Sequence, residues 1–322
     1  MGGLGTGRYL KKNGYRSQTE IMQEHVEKVS EICKKYNLQP MMWSDMFFRS
    51  KNATGQYYKE VEFTKEDIEK VPKNMDLVYW DYYFTEPEHY EMMINQHKVL
   101  TDKIVFAGSV RNCQTFGTHL NKTIVTIDAA LSECKKAGIK EVFATVWGDD
   151  HRESSNFSIL PGLCHFAEHA YCDNPSKEYV AKRFKACTNM EYKDFTKLDL
   201  FDKIEKFNGE NLDNLGLSKV CMWQDILLGL CDYNLKDIDF YDHYNALEKE
   251  MNSLSLKYGD YKILFDFYEA LAKVLKTKSY MGIRLYKAYK SGDKDELLNL
   301  KDIEAKNKNA HFSGYSLFFV QK

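Results

Sequence analysis

Residues 76–110, DLVYWDYYFTEPEHYEMMINQHKVLTDKIVFAGSV, form a complete strand–helix–strand pattern. The runs at 76–84 and 103–110 are short and almost continuously apolar, whereas apolar residues recur at helical spacing between them, at 86–100. Short strands that are apolar on both faces are typical of parallel sheets, in which crossover helices cover the sheet. This stretch therefore predicts a β/α fold with parallel strands.

The same alternation continues on both sides of this stretch. Five further elements are predicted: a helix at 19–36, a strand at 40–48, a helix at 64–71, a helix at 123–138 and a strand at 141–147. Thr19 is placed to cap the first of these helices. Gly138 follows the last predicted helix, where a glycine favours termination. The chain therefore carries four β/α units.

Beyond residue 155 the strand signals stop. Amphipathic helical patterns are predicted there at 155–172, 176–187, 223–235, 241–258 and 261–292. We therefore predict two parts, an α/β region at residues 1–154 and an all-α region at residues 155–322.

The composition predicts a soluble chain with balanced charge. Among 322 residues, 45 Lys and Arg stand against 47 Asp and Glu, so the surface has no basic excess for nucleic acid. No apolar run reaches the roughly 18 residues of a membrane helix. The eight cysteines contain no C-x-x-C pair and the N-terminus has no apolar signal region, which favours reduced thiols and a cytoplasmic location.

Three of the four tryptophans lie within two residues of an aspartate at the carboxyl end of a predicted strand. The carboxyl ends of parallel strands share one edge of the sheet, where α/β proteins bind ligands. An indole stacks on the apolar face of a sugar, and a carboxylate accepts hydrogen bonds from its hydroxyls. A carbohydrate site is therefore predicted, unless each tryptophan fills the core and each aspartate caps the next helix. The motifs are Trp43-Ser44-Asp45, Trp80-Asp81-Tyr82-Tyr83 and Trp147-Gly148-Asp149-Asp150.

Other kinds of site have no matching motif. No G-x-G-x-x-G follows a predicted strand, and the sequence has neither a P-loop nor an H-E-x-x-H pattern. The glycine-rich opening GGLGTG (2–7) has no strand pattern before it. We therefore predict neither a cofactor nor a metal ion.

Five segments of the chain resemble family 20 glycoside hydrolases. GGLGTGRYLKKNGYR (2–16) is similar to the segment that follows the catalytic Asp-Glu pair in bacterial exo-β-N-acetylhexosaminidases with a helical C-terminal domain. The runs at 40–48, 76–84 and 142–150 resemble the fifth, sixth and eighth barrel strands of that family, and KVCMWQDILLGLCDY (219–233) resembles a motif of the helical domain.

The resemblance implies a fold and a reaction. Residues 1–154 would form the C-terminal half, strands five to eight, of a (β/α)8 TIM barrel, and residues 155–322 the last barrel helix and the helical domain. The reaction would remove terminal β-linked N-acetylglucosamine or N-acetylgalactosamine with retention. The substrate's own acetamido oxygen acts as the nucleophile in this family, a glutamate is the general acid, and the adjacent aspartate orients the acetamido group.

The resemblance also implies roles for individual residues. Trp43 and Trp147 would form walls around the sugar and its N-acetyl group, and Asp149 or Asp150 would bind the outer hydroxyls. Tyr79 and Tyr82 are both candidates for the tyrosine that donates to the acetamido carbonyl. The predicted substrate-binding residues are Trp43, Asp45, Tyr79, Trp80, Asp81, Tyr82, Trp147, Asp149 and Asp150.

The sequence departs from the family in two places. No Asp-Glu dipeptide follows a predicted strand, and the dipeptide in KDELLNL (294–300) lies in a helix-like stretch. The seventh strand, IVFAGSVRNCQTFGTH (104–119), lacks the aromatic residues expected after its glycine, so no role is predicted for Arg111. We expect the chain to be the C-terminal portion of a longer enzyme, poorly soluble and inactive alone, because half a barrel exposes two strand edges.

Three functions remain open from the sequence. The first is an exo-β-N-acetylhexosaminidase lineage that lacks the catalytic pair, with an N-acetylhexosamine-terminated glycan as partner and possible self-association through the exposed barrel edges. The second is a non-catalytic module that binds amino sugars. The third is an interaction protein that uses its helical half. A doubly wound α/β protein with an unrelated site is a further alternative, which the strand order would reveal.

Overall fold

A computed structural model of the protein describes residues 3–52, 54–148, 153–213 and 215–303. The chain separates into two compact units. The first comprises Met1–Ser109 and Val125–Thr145, and the second comprises Val110–Ile124 and Val146–Lys322. Among the described residues, no helix combines the length and the apolar character that crossing a bilayer requires.

The first unit contains a parallel sheet of four strands. Each strand pairs with the next along the chain, in the order β1-β2-β3-β4, so the described sheet has no reversal of the doubly wound kind. The strands are β1 (Met41–Trp43), β2 (Asp76–Trp80), β3 (Ile104–Ser109) and β4 (Glu141–Thr145). The predicted parallel β/α arrangement is confirmed for these four strands.

Six helices belong wholly or partly to the first unit. They are α1 (Arg8–Asn13), α2 (Gln18–Lys35), α3 (Asp45–Lys51), α4 (Lys65–Glu69), α5 (Pro87–Leu100) and α6 (Leu120–Lys136). The prediction that Thr19 caps α2 is wrong: Ser17 accepts from the amide of Glu20, whose carboxylate accepts from the amide of Ser17. Gly138 follows α6 with φ +76° and ends it as predicted.

The strand predicted at 40–48 is only three residues long. After Trp43 the Ser44 amide donates to the carbonyl of Val78 at 3.0 Å, and the chain turns into α3. Asp45 lies in the first turn of that helix, where a negative charge is favourable. The apolar run therefore continues as a helix, which buries Phe47 and Phe48.

The second unit is helical. Its long helices α13 and α14 lie side by side, joined by a short 3₁₀ turn, and bury a shared aromatic core that includes Tyr244, Phe265 and Tyr268. The helices are α7 (Leu160–His169), α8 (Lys177–Thr188), α9 (Tyr192–Phe195), α10 (Glu205–Asn208), α11 (Leu217–Trp223), α12 (Asp232–Leu235), α13 (Phe240–Lys257), α14 (Lys262–Lys278) and α15 (Met281–Ser291).

The single helix predicted at 223–235 is wrong: within this range only Trp223, the last residue of α11, and α12 are helical. Helix α11 ends at Trp223, and the Asp225 carboxylate accepts from the amides of Leu227 and Leu228, at 2.8 and 3.0 Å. Gly229 then has φ +54°, a conformation that interrupts a helix. We name residues 224–231 the apolar loop, because its leucines are among the most exposed apolar side chains of the chain.

Two buried carboxylates bind backbone amides within the second unit. Asp199 accepts from the amide of Leu120, the first residue of α6, at 2.8 Å. Asp202 accepts from the Ser218 amide and hydroxyl, at 2.8 and 2.6 Å, and from the Gly117 amide at 3.4 Å. These carboxylates therefore connect segment 110–124 to the helices that follow much later in the chain.

A pH dependence of stability follows from these carboxylates. Burial raises the pKa of Asp199 to about 7 and that of Asp202 to about 6, although the donated hydrogen bonds act in the opposite direction. The folded state then binds more protons than the unfolded state between about pH 4 and pH 7. Relative to an Asp199→Asn variant, the wild-type free energy of unfolding should fall with rising pH, by at most about 1.4 kcal/mol per pH unit.

Urea denaturation followed by circular dichroism at several pH values measures this difference. Asp194→Asn is the comparison, because hydrogen bonds from Lys257 and Tyr258 lower the pKa of Asp194. That variant should show the opposite trend, with wild-type stability rising with pH at acid pH. A wild-type minus Asp199→Asn difference that is constant from pH 4 to pH 7 would contradict the assignment.

Candidate functional site

The two faces of the sheet in the first unit differ in character. Side chains alternate between faces along each strand, and paired residues of neighbouring strands point the same way. Val78 pairs with Trp43 and with Val105, and Ala107 pairs with Trp80 and with Phe143. One face therefore carries an apolar row, which we call the indole face: Trp43, Val78, Trp80, Val105, Ala107 and Phe143.

The indole face is concave. Trp43 is on β1 and Phe143 is on β4, yet their ring centroids are 6.2 Å apart. The strands at the two edges of a flat four-stranded sheet would be about 14 Å apart, at roughly 4.8 Å for each step. Val78 and Val105, on the two strands between them, are almost fully buried. Trp43 itself is 38% exposed, so its indole lies at the edge of this hollow.

Tyr79 lies on the opposite face, under helix α5. Its ring packs 4.7 Å from the imidazole of His97 and 5.3 Å from the ring of Phe106, and it is fully buried. Its hydroxyl donates to Asp81 Oδ2 at 2.8 Å, and the burial raises the pKa of Tyr79 well above its usual value. The structure therefore separates Tyr79 from Trp43 and Trp80.

Asp81 is a hydrogen-bond centre just beyond the end of β2. Its carboxylate is inaccessible to solvent and accepts from Tyr79, from His89 Nε2 at 2.9 Å and from the Tyr83 amide at 3.1 Å. His89 in turn stacks on Phe84, with ring centroids 3.5 Å apart. These contacts fix the path of the chain from Trp80 into α5.

Aromatic rings surround Trp80 at this end of the sheet. The ring of Tyr82 lies 5.7 Å from the indole, and those of Tyr57 and Tyr58 lie 5.4 and 5.5 Å from it. The Tyr58 hydroxyl also donates to the Trp80 carbonyl at 3.3 Å. Our sequence analysis missed Tyr57 and Tyr58, although the adjacent pair in the polar stretch KNATGQYYKE (51–60) was a detectable signal.

The remaining predicted residues have different surroundings. Asp45 Oδ2 is 2.8 Å from Arg49 Nε, an i,i+4 pair on α3, and Arg49 also donates to the Gly55 carbonyl. Trp147 belongs to the second unit and is half-buried. Asp149 and Asp150 lie outside the described residues. The assignment of these residues to a sugar stays a prediction.

A buried histidine near Trp43 has a structural role. His97 Nδ1 donates to the Met93 carbonyl at 2.7 Å, which leaves Nε2 as the acceptor for the Ser44 hydroxyl at 2.7 Å. Burial lowers the pKa of His97 to about 4, so the ring is neutral at pH 7. A neutral, solvent-inaccessible imidazole cannot deliver a proton to a leaving group, and its contacts fix the turn after β1.

The Asp295-Glu296 dipeptide is also structural. It lies in a helical stretch of the second unit, and the Glu296 carboxylate accepts from Arg284 at 2.7 to 2.8 Å. That hydrogen bond contributes to a lowered pKa of Glu296, which is the opposite of what a general acid requires. This pair therefore does not replace the catalytic pair of family 20.

The helical second unit contains a region that matches a known protein family. Residues 193–313 match the family model described as the Glycoside Hydrolase 20C C-terminal domain. The resemblance to family 20 glycoside hydrolases is confirmed. The family 20C domain of this chain begins in α9 and includes α10 to α15, together with the apolar loop and the α13–α14 pair. A comparison with curated proteins gave no match.

Proposed function

We propose that the first unit, extended to residue 154, is a half of a (β/α)8 barrel, and that residues 155–322 supply the last barrel helix and the family 20C domain. The strands follow one another in sequence order, and the indole face is concave and apolar. These are the properties of a barrel wall seen from its interior.

We further propose that the carboxyl ends of these strands bind a terminal N-acetylhexosamine. The observation that supports this most directly is the indole face, which carries Trp43 and Trp80 together near that end of the sheet in a chain with a family 20C domain. Trp43 would stack on the sugar, because its ring is partly exposed. The resemblance also implies sugar-binding roles for Trp147, Asp149 and Asp150.

Of the two tyrosines, Tyr82 is the better candidate for the acetamido group. Tyr79 packs beneath α5, on the face opposite the two indoles, and its hydroxyl already donates to Asp81. The Tyr82 ring packs beside that of Trp80. Asp81 would hold the Trp80 indole in place through the hydrogen bonds that it accepts from Tyr79, His89 and the Tyr83 amide.

A stacking role for Trp43 predicts a large loss of affinity. Trp43→Ala should weaken binding of N-acetylglucosamine at least about tenfold, because the stacking surface is removed. Isothermal titration of the full chain measures this. Tyr171→Ala is the control, since Tyr171 is 84% exposed on the other unit. Equal affinity of Trp43→Ala and wild type would contradict the proposed site.

We also expect binding without turnover. No Asp-Glu dipeptide follows a strand in the sequence, and a positioned general acid contributes about 10²–10⁴-fold to the rate. The purified chain should therefore cleave 4-nitrophenyl N-acetyl-β-glucosaminide no faster than a heat-denatured control does. Cleavage that Trp43→Ala abolishes would show instead that the chain carries its own acid.

A further inference from the structure

The family 20C domain contains a cavity of about 730 Å³ between the apolar loop, α12 and α15. This volume is typical of a small-molecule site. Among its lining residues are Leu227, Tyr233, Gly282 and Tyr286. The cavity lies entirely within the second unit, so it is separate from the indole face.

Three tyrosines leave broad faces open to a ligand in this cavity. Tyr233, Tyr286 and Tyr289 are 79%, 63% and 73% exposed, which is unusual for aromatic rings that line one hollow. Tyr286 and Tyr289 are three residues apart on α15 and therefore share a face of that helix. Lys236 Nζ lies 4.4 Å from the centroid of the Tyr233 ring.

The cavity also contains a carboxylate with spare acceptor capacity. The Gln224 side chain donates a hydrogen bond to the Asp232 carboxylate. Within the described part of the chain, its Oδ1 atom, which is inaccessible to solvent, has no hydrogen-bond partner. Two glycines leave room for this side chain: a Cβ at Gly229 or Gly282 would lie 2.5 or 2.7 Å from Asp232 Oδ2. A buried acceptor of this kind is favourable only when a ligand or water donates to it.

The charges around the cavity are balanced. Lys236 and Lys287 stand against Asp232 and Asp237 among the lining residues. The electrostatic field of the lining residues therefore does not favour a strongly charged ligand. An entirely apolar ligand would leave Asp232 with the Gln224 side chain as its donor and add none. A neutral ligand with an apolar face and several hydroxyl donors satisfies both the tyrosines and the carboxylate.

We propose that this cavity binds a neutral pyranose unit of an oligosaccharide, stacked on Tyr286 and donating a hydroxyl to Asp232. It would be a second carbohydrate site, distinct from the proposed N-acetylhexosamine site and independent of it. A helical domain with such a site would hold a glycan without taking part in its cleavage.

The test is titration of the full chain with three separate probes, N,N′-diacetylchitobiose, cellobiose and maltose, by calorimetry and saturation-transfer NMR. At least one probe should bind with a millimolar or better Kd. Tyr286→Ala and Asp232→Asn should each weaken that binding at least about tenfold. Gly282→Ala should weaken it too, because the added methyl group displaces the carboxylate. Circular dichroism confirms that each variant is folded.

Two controls separate this proposal from the proposed function. Trp43→Ala should leave the Tyr286-dependent binding unchanged, and so should Tyr241→Ala, which replaces an exposed tyrosine outside the cavity. The proposal is overturned if no probe binds, or if the only binding is lost in Trp43→Ala and kept in Tyr286→Ala. It is also overturned if Tyr286→Ala abolishes only self-association, measured by analytical ultracentrifugation.

Discussion

Gly117→Ala should lower the free energy of unfolding by about 3 kcal/mol, at the upper end of overpacking effects. A Cβ at this position would lie 2.2 Å from the carbonyl oxygen of Leu198, which is backbone and cannot rotate away. The Gly117 carbonyl also accepts from Ser154 at 2.7 Å, and its amide donates to Asp202. Relief of the clash would therefore break hydrogen bonds on both sides of the glycine.

Urea denaturation followed by circular dichroism at 222 nm measures this loss. Gly259→Ala is the matched control, because a Cβ there meets nothing within 4 Å and its φ is not positive. That variant should remain within about 0.5 kcal/mol of wild type. If the two alanine variants unfold at the same urea concentration, segment 110–124 does not pack against Leu198 as described.

Asp81→Ala should cost the first unit about 3 kcal/mol and also abolish binding of N-acetylglucosamine. The change removes the acceptor of the Tyr79 hydroxyl, which is fully buried, and also that of the His89 ring and the Tyr83 amide. Leaving a buried donor unsatisfied costs about 1–3 kcal/mol. Binding should fail because the chain that carries Trp80 and Tyr82 loses its anchor.

Thermal denaturation and calorimetric titration test both parts of this prediction. Asp81→Asn keeps one carbonyl oxygen and should lose less stability than Asp81→Ala. Asp102→Ala, an exposed aspartate of the same unit, should change neither property. A stable Asp81→Ala variant that has lost only its sugar affinity would instead make Asp81 a direct sugar ligand.

The sequence predicted the strands well, because they are almost continuously apolar and their neighbours are helical. Two were overextended: the second ends at Trp80 rather than at residue 84, and in the first the apolar run after Trp43 enters α3 and buries Phe47 and Phe48. Periodicity cannot separate these two conformations in a short apolar run. The strand ends where the Ser44 amide donates to the carbonyl of Val78, 34 residues away.

In the apolar loop the sequence predicted a helix where the structure has none. Its leucines recur at spacings compatible with a helix, yet most of them are exposed. The conformation depends on the Asp225 side chain and on the positive φ of Gly229, and local capping of this kind competes with helix formation. The D-x-L-L-G pattern was a signal for a turn.

The candidate site was predictable only in outline. Strand ends indicated Trp43 and Trp80, and strict alternation along β2 was enough to place Tyr79 and Trp80 on opposite faces. The partners of Asp81 could not be predicted, because His89 comes from the following helix. The contribution of Tyr57 and Tyr58 depends on a loop whose path no periodic pattern specifies.

The carboxylates that connect segment 110–124 to later helices also set the order of events during synthesis. The amide of Leu120 leaves the ribosome 79 residues before its acceptor on Asp199. At about 5–20 residues per second, this gap lasts roughly 4–16 s. During that interval the Leu120 amide has no native acceptor, so the nascent segment is a natural target for a chaperone that holds emerging chains.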